Sequence, residues 1–193
     1  MRKPGAALIE TLASELDSGL SVDRRASVSP FHRDLRFAAA GSPRYKDHVL
    51  LTTWQGEDKK TAPTIWIRID ATSVGFASGV AFSPAVRERW REAVAGRAGV
   101  ALADELASLT QQHRGHEAEI AGERLHRTPR PWDDTHPRRD LLRLKGFQFR
   151  FREPLPKLVD SPRFAAWCAA RLRPLMPIHA WLVRELGTNG ARR

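Results

Sequence analysis

The spacing of hydrophobic residues changes along the chain and predicts helices on either side of a group of strands. Near the N-terminus, apolar residues recur every three or four positions, which indicates an amphipathic helix over residues 4–20. Three segments with branched or alternating apolar residues follow, and their short connections are typical of an antiparallel meander. The predicted strands cover residues 49–54, 64–70 and 73–82.

Helical spacing returns after the meander. Ser83 and Ser161 each precede a proline. Each serine is predicted to cap a helix, and the proline is predicted to occupy the first helical position, where an N–H has no partner within the helix. Further along, Pro174 and Pro177 are predicted to break the helix that starts at Ser161, and only a last turn or two is expected after them. The remaining predicted elements are a helix at 101–113, a short strand within 116–125, a short helix at 138–145 and a strand with Phe147, Phe149 and Phe151 on its apolar face.

These elements predict an α+β fold with a mostly antiparallel sheet. The sheet consists of a meander of three strands plus a later strand, and amphipathic helices pack against it. Neither an internal repeat nor an interdomain linker interrupts the sequence. We therefore expect residues 1–193 to form a single domain, with an ordered core at about 5–186 and a frayed tail at 187–193.

The chain is strongly basic, with a formal net charge of +10 at pH 7 that is carried mostly by arginine. Such a charge suggests nucleic acid as a partner, because phosphate neutralisation supplies most sequence-independent affinity. The basic residues are scattered along the chain, so non-specific nucleic-acid binding is a weaker hypothesis than binding of a small anion. No apolar run approaches the ~20 residues that span a membrane, so we expect a cytoplasmic protein without membrane contact.

Motifs for common cofactors and catalytic groups do not occur in the sequence. It contains neither a glycine-rich nucleotide loop nor a G-x-S-x-G nucleophile elbow. The single cysteine, Cys168, lies on the apolar face of a predicted helix, where burial explains it better than catalysis. His32 and His48 with an aspartate would form a two-histidine, one-carboxylate set, but their spacing does not require a metal. We predict no cofactor and no metal, and the sequence leaves the oligomeric state open.

The densest group of chemically active side chains lies in residues 31–48. Its members, which bind anions, orient cations or transfer protons, are His32, Arg33, Asp34, Arg36, Arg44, Tyr45, Lys46 and His48. An aspartate between arginines orients their guanidinium groups, which then present their remaining donors to a phosphate or carboxylate. The basic residues and Tyr45 are therefore predicted to form an anion pocket, with His32 and His48 as the candidates for proton transfer.

Two interpretations of this stretch are open at the level of sequence. In the first, the protein is a binding module for a small phosphorylated or carboxylated ligand, or an enzyme that uses a histidine of the same pocket as general acid or base. In the second, the Arg33, Asp34 and Arg36 cluster is a buried ion-pair network that ties a loop to the sheet. Non-specific nucleic-acid binding and a purely structural or interaction role complete the set of hypotheses.

Several motifs along the chain resemble those of one known family. The matching residues are Arg33, Asp34, Arg36, Phe37, Ser42, Pro43, Tyr45, Lys46, Gly75, Gly79, Pro129, Leu141, Leu142 and Lys145. In combination they resemble domain-of-unknown-function family 2461, a group of uncharacterised bacterial and fungal proteins, over about residues 8–186. Gly41 and the inserted Arg44 depart from the family pattern. The resemblance implies an α+β fold and no particular reaction.

Overall fold

The protein is represented by a computed structural model that describes residues 2–17, 19–32, 36, 39 and 43–187. Its elements are α1 (Arg2–Leu16), β1 (His48–Trp54), β2 (Thr64–Asp70), β3 (Ser73–Ala81), α2 (Pro84–Ala95), α3 (Ala98–Gln112), β4 (Glu119–Ala121), α4 (Arg139–Leu142), β5 (Gly146–Pro154), α5 (Arg163–Leu172) and α6 (Met176–Leu186). A 3₁₀ turn, Arg173–Leu175, joins α5 to α6. Helices and a single antiparallel sheet together confirm the predicted α+β fold.

The sheet has the strand order β1-β2-β3-β5-β4, and every neighbouring pair is antiparallel. Its first three strands are the predicted meander, and β5 is the predicted later strand, which pairs with β3. The short strand expected within residues 116–125 is β4, which lies at the edge beyond β5. The meander and the later strand are therefore confirmed, and β4 completes the sheet.

One face of the sheet forms the core. Because successive side chains of a strand point to opposite faces, one set of apolar residues from β1, β2, β3 and β5 lies together. This core face consists of Leu51, Ile65, Ile67, Val74, Phe76, Val80, Phe147, Phe149 and Phe151. Helices pack against it through aromatic side chains: the rings of Trp90 in α2 and Phe147 lie 5.0 Å apart, and those of Trp167 in α5 and Phe76 lie 5.7 Å apart. Burial of each large apolar side chain contributes about 1.5–3 kcal/mol.

The outer edge of β1 is covered by the chain that precedes it. Residues 21–32 run antiparallel to β1, and Val28 pairs with Leu51 in an isolated bridge. The amide of Thr52 donates to the carbonyl of Ser27 at 2.8 Å. This pairing gives hydrogen-bond partners to some of the backbone groups at the β1 edge. It also brings residue 32 beside the loop that leads into β1.

The helix ends agree with the sequence in one case and differ in two. Ser83 caps α2, since its Oγ accepts a hydrogen bond from Val86 N at 3.3 Å. The same prediction for Ser161 is wrong: α5 begins later, with Pro162 at the cap position, and Ser161 Oγ is buried without a hydrogen-bond partner among the described residues. Pro174 lies in a 3₁₀ turn and Pro177 lies in the first turn of α6, so the predicted break amounts to that short turn, and α6 runs for 11 residues. In the described part of the chain, each helix is too short or too polar to cross a membrane.

Candidate functional site

The structure describes part of the 31–48 stretch and places that part at the surface beside β1. His32 and Tyr45 form an antiparallel bridge, and the centroids of their rings lie 5.0 Å apart. The amide of Lys46 donates to the carbonyl of Phe31 at 2.8 Å, which closes the base of the loop. Tyr45 is 61% exposed, so its ring lies at an open surface.

The predicted arginine cluster is only partly described. Arg36 and Arg44 are exposed to solvent. Arg33 and Asp34 lie outside the described residues. The pocket proposed around these four residues therefore stays a prediction from the sequence.

His48 joins a different surface from the rest of the stretch. It is the first residue of β1, and its Nδ1 donates to Asp47 Oδ1 at 2.7 Å, a bond that lowers the pKa of Asp47. The Asp47 carboxylate also lies 3.8 Å from the guanidinium of Arg68 in β2. His48 and Arg68 both line a cavity on the side of the sheet opposite the core face. The C-terminal end of the stretch thus leads into this cavity.

The face opposite the core, which we call the polar face, has a low floor between two walls of longer side chains. Trp66 lies opposite Ala77, and Ala77 lies opposite Arg150, so a tall residue stands on each side of a small one. The floor residues are Gly75, Ala77, Gly79 and Ala81 of β3, and the wall residues are Thr64, Trp66 and Arg68 of β2 with Gln148, Arg150 and Arg152 of β5. We call this groove the β3 trough. One end of it holds a cavity of 520 Å³.

Each arginine of the trough lies near a carboxylate. Arg150 Nε donates to Glu119 Oε1 at 2.7 Å, and Arg152 Nη2 lies 3.4 Å from Asp70 Oδ2. Arg68 has its carboxylate at the longer distance of 3.8 Å, and its Nε is buried without a hydrogen-bond partner among the described residues. Carboxylates on one side of a guanidinium fix its orientation and leave its other donors free to meet an anion.

Asp70 is held by hydrogen bonds from the turn between β2 and β3. Its Oδ1 accepts from Thr72 N at 3.0 Å and from Ser73 N at 2.8 Å, and Ser73 Oγ donates to the same carboxylate at 2.9 Å. Burial alone would raise the pKa of Asp70, but the hydrogen bonds from Thr72 and Ser73 outweigh it and lower the pKa to about 2. Asp70 is therefore ionised at neutral pH and remains a fixed partner for Arg152.

Other titratable groups lie in the core. Cys168 is buried, as predicted, and burial raises the pKa of its thiol to about 12, so the thiolate is not available as a nucleophile. The His113 ring stacks on Phe151 with centroids 3.8 Å apart, and burial lowers the pKa of His113. His179 Nδ1 and Ser78 Oγ share a hydrogen bond of 3.3 Å inside the core.

In the ranges that the structure describes, no three His, Cys, Asp or Glu residues are grouped to hold a metal.

Sequence reasoning placed the trough residues on strands but did not bring them together. The pairing of β3 with β5 joins segments that are far apart in the chain, and their register is not encoded locally. A usable signal does exist in β3, where the face that bears Val74, Phe76 and Val80 is apolar and the opposite face carries only glycine and alanine from residue 75 to residue 81. A strand with one empty face indicates a groove when its neighbours present aromatic and basic residues on that face.

We compared the chain with curated proteins, solved structures and models of protein families. No curated protein and no solved structure matches the chain. The model of the family described as "Conserved hypothetical protein (DUF2461)" matches residues 1–181. This range covers most of the chain and confirms the resemblance seen in the motifs over about residues 8–186. The chain therefore belongs to the DUF2461 family of conserved hypothetical proteins.

Proposed function

We propose that the chain is a binding domain for a small molecule that carries a phosphate or carboxylate group beside a planar ring. The observation that carries the proposal is the cavity of 520 Å³ in the β3 trough, whose lining includes a tryptophan and three arginines against two glutamates, Glu117 and Glu119. Small-molecule sites are typically cavities of about 300–1,000 Å³ with a few polar groups that fix the ligand. The trough combines that size with groups suited to an anion.

The anionic group of the ligand binds at Arg68 and Arg152. The buried Nε of Arg68 has no partner among the described residues, and an unsatisfied buried donor costs about 1–3 kcal/mol. A ligand oxygen that accepts this donor removes the cost. Arg152 lines the same cavity while Asp70 holds one of its nitrogens, so its other N–H groups can donate to the same anion.

The ring of the ligand stacks on Trp66. The indole stands in the β2 wall opposite Ala77, and the small floor leaves its face open to the trough. Gln148 lines the opposite wall and offers an amide donor and acceptor to the edge of a ring. Stacking and edge hydrogen bonding together select a planar heterocycle over a simple anion.

The C-terminal end of the 31–48 stretch supports the proposal. His48 lines the cavity itself. Lys46 and Arg44 precede it by two and four residues, which places them at most about 7 and 13 Å away along an extended chain. Their positive charge raises the local concentration of anions at the mouth of the trough.

Isothermal titration calorimetry with Arg68→Gln tests the proposal. The matched control is Arg97→Gln, because Arg97 is an exposed arginine at the start of α3 whose side chain makes no cap hydrogen bond. Both variants lower the net charge by one. We expect wild type and Arg97→Gln to bind at least one nucleoside monophosphate or aromatic carboxylate with the same affinity, and Arg68→Gln to bind it at least tenfold more weakly, about 1.4 kcal/mol.

Two outcomes would contradict the proposal. An equal loss of ligand affinity in the two variants would show that affinity depends on the net charge and not on contacts in the trough. Absence of binding to the wild type across the whole probe set would remove the ligand-binding function altogether.

A further inference from the structure

The β3 trough continues beyond Trp66 into a second cavity. This second cavity has a volume of 320 Å³ and shares Trp66 and Gln148 with the first. Arg68 lines the first cavity, which we call the arginine compartment, whereas Lys59 and Lys60 line the second, which we call the lysine compartment. The two compartments therefore form one groove whose middle is flanked by the indole and the amide.

The lysine compartment is suited to an anion. Neither aspartate nor glutamate is found among the described residues that line it. Lys59 is already engaged, since its Nζ donates to the carbonyl of Ala26 and lies 5.6 Å from the ring centroid of Trp54. Lys60 is exposed, and its ammonium has no hydrogen-bond or ion-pair partner among the described residues. Lys60 is thus a cation at the end of the groove that can receive a second negative group.

The separation of the two compartments sets the length of the ligand. Thr64 lines the lysine compartment and Arg68 lines the arginine compartment, and both belong to the same wall strand. Four residues of a strand span about 13 Å. A ligand with one anionic group at one end and a single ring on Trp66 occupies only half of this length.

We infer that the ligand consists of two or more linked nucleotides, with a base stacked on Trp66 and a phosphate in each compartment. This inference rests on the proposed function, because it keeps the ring on Trp66 and the first phosphate on Arg68. Aromatic side chains interleaved with cations on a sheet face hold nucleotides by stacking and by phosphate contacts. The same chemistry occurs in a free dinucleotide and in a segment of a single strand.

Calorimetry with two thymidine probes tests the inference. One probe is thymidine 5′-monophosphate, and the other is the dinucleotide pTpTp, which carries phosphates at both ends. We expect the wild type to bind pTpTp at least tenfold more tightly than the monophosphate. Lys60→Gln removes this gain and leaves the affinity for the monophosphate unchanged, whereas Arg68→Gln weakens both probes. Lys157→Gln, at an exposed lysine of the turn after β5, is the matched control and keeps the gain.

The outcomes separate this inference from the proposed function. If the monophosphate binds but pTpTp gains nothing, or if the gain survives Lys60→Gln, the inference is wrong and the proposed function stands. If Lys60→Gln and Lys157→Gln reduce the gain equally, diffuse charge explains it and the inference is also wrong. If neither nucleotide binds but an aromatic carboxylate does, the nucleotide class is wrong. If no probe binds, both proposals fail.

A third titration with a twelve-nucleotide single strand identifies the source of the nucleotides. Affinity that keeps rising beyond pTpTp, and that falls steeply with salt, indicates a strand. Affinity that reaches its limit at pTpTp indicates a free dinucleotide. Either result supports the inferred class of linked nucleotides.

Discussion

At the scale of single residues, the floor of the β3 trough depends on two glycines with different roles. A Cβ at Gly79 would overlap the carbonyl oxygen of Phe147, so only glycine lets β3 and β5 pair at that point. A Cβ at Gly75 would lie 3.7 Å from Phe151 O and 3.8 Å from Arg68 Cβ, which is ordinary contact. Gly79 is therefore required by the sheet, whereas Gly75 leaves an empty place in the floor.

Alanine substitutions at these two positions are expected to have opposite effects on stability. Gly79→Ala forces β3 and β5 apart and lowers the free energy of unfolding by about 1–3 kcal/mol. Gly75→Ala meets no obstacle and reduces the entropy of the unfolded chain, so it leaves stability unchanged or raises it by up to about 1 kcal/mol. Urea denaturation of both variants measures the difference. Similar losses in both would show that the floor is packed and not open.

At the scale of elements, the sequence predicted the bounds of strands and helices where these depend on a local pattern of apolar residues. The alternation in β2 predicted its bounds, Thr64–Asp70, because one face of that strand is buried and the other is not. The helix predicted at residues 101–113 instead begins at Ala98, and Gly99 packs against the backbone of Val94 at the corner between α2 and α3. Such a contact between two helices leaves no periodic signal in the sequence.

The candidate site was also predictable only where its residues form a local pattern. The 31–48 stretch is rich in charged residues, and its last member, His48, does line the cavity. The arginines of β5 were visible as the polar side of a strand, but only pairing with β3 brings them opposite Trp66 across the trough. Register between distant strands depends on the whole core and not on a short motif.

At the scale of the whole molecule, the sheet and the last helix are joined through a histidine in the core. His179 of α6 is fully buried, and its Nδ1 shares a hydrogen bond with Ser78 Oγ of β3. Burial lowers the pKa of His179 to about 4. The neutral imidazole is thus part of the packed core, and protonation opposes folding.

This burial predicts a loss of stability in mild acid. The unfolded chain binds a proton at His179 near its ordinary pKa of 6.5, whereas the folded chain does so only near 4. Because the unfolded state takes up the proton first, the free energy of unfolding falls as the pH drops from about 6.5 to 4, by about 3 kcal/mol in total. Urea titrations at pH 7, 5.5 and 4.5 measure this slope.

The slope is expected to flatten in His179→Gln, which keeps a polar group near Ser78 but does not titrate. His126→Gln, at an exposed histidine, is the control and keeps the wild-type slope. If wild type and His179→Gln lose the same free energy of unfolding between pH 7 and 4.5, the buried imidazole is not the cause of acid sensitivity.

The central claim is that the β3 trough is the ligand site, and Gly75→Leu tests it most directly. The substitution adds a side chain to the floor of the arginine compartment and replaces no arginine. The measurement is a thermal-shift screen of wild type and Gly75→Leu against nucleotides, sugar phosphates and aromatic carboxylates. We predict a saturable rise in the Tm of the wild type with at least one probe, and no rise in Gly75→Leu, whose own Tm is not lowered. The same rise in both proteins would contradict the claim and move the binding site away from the trough.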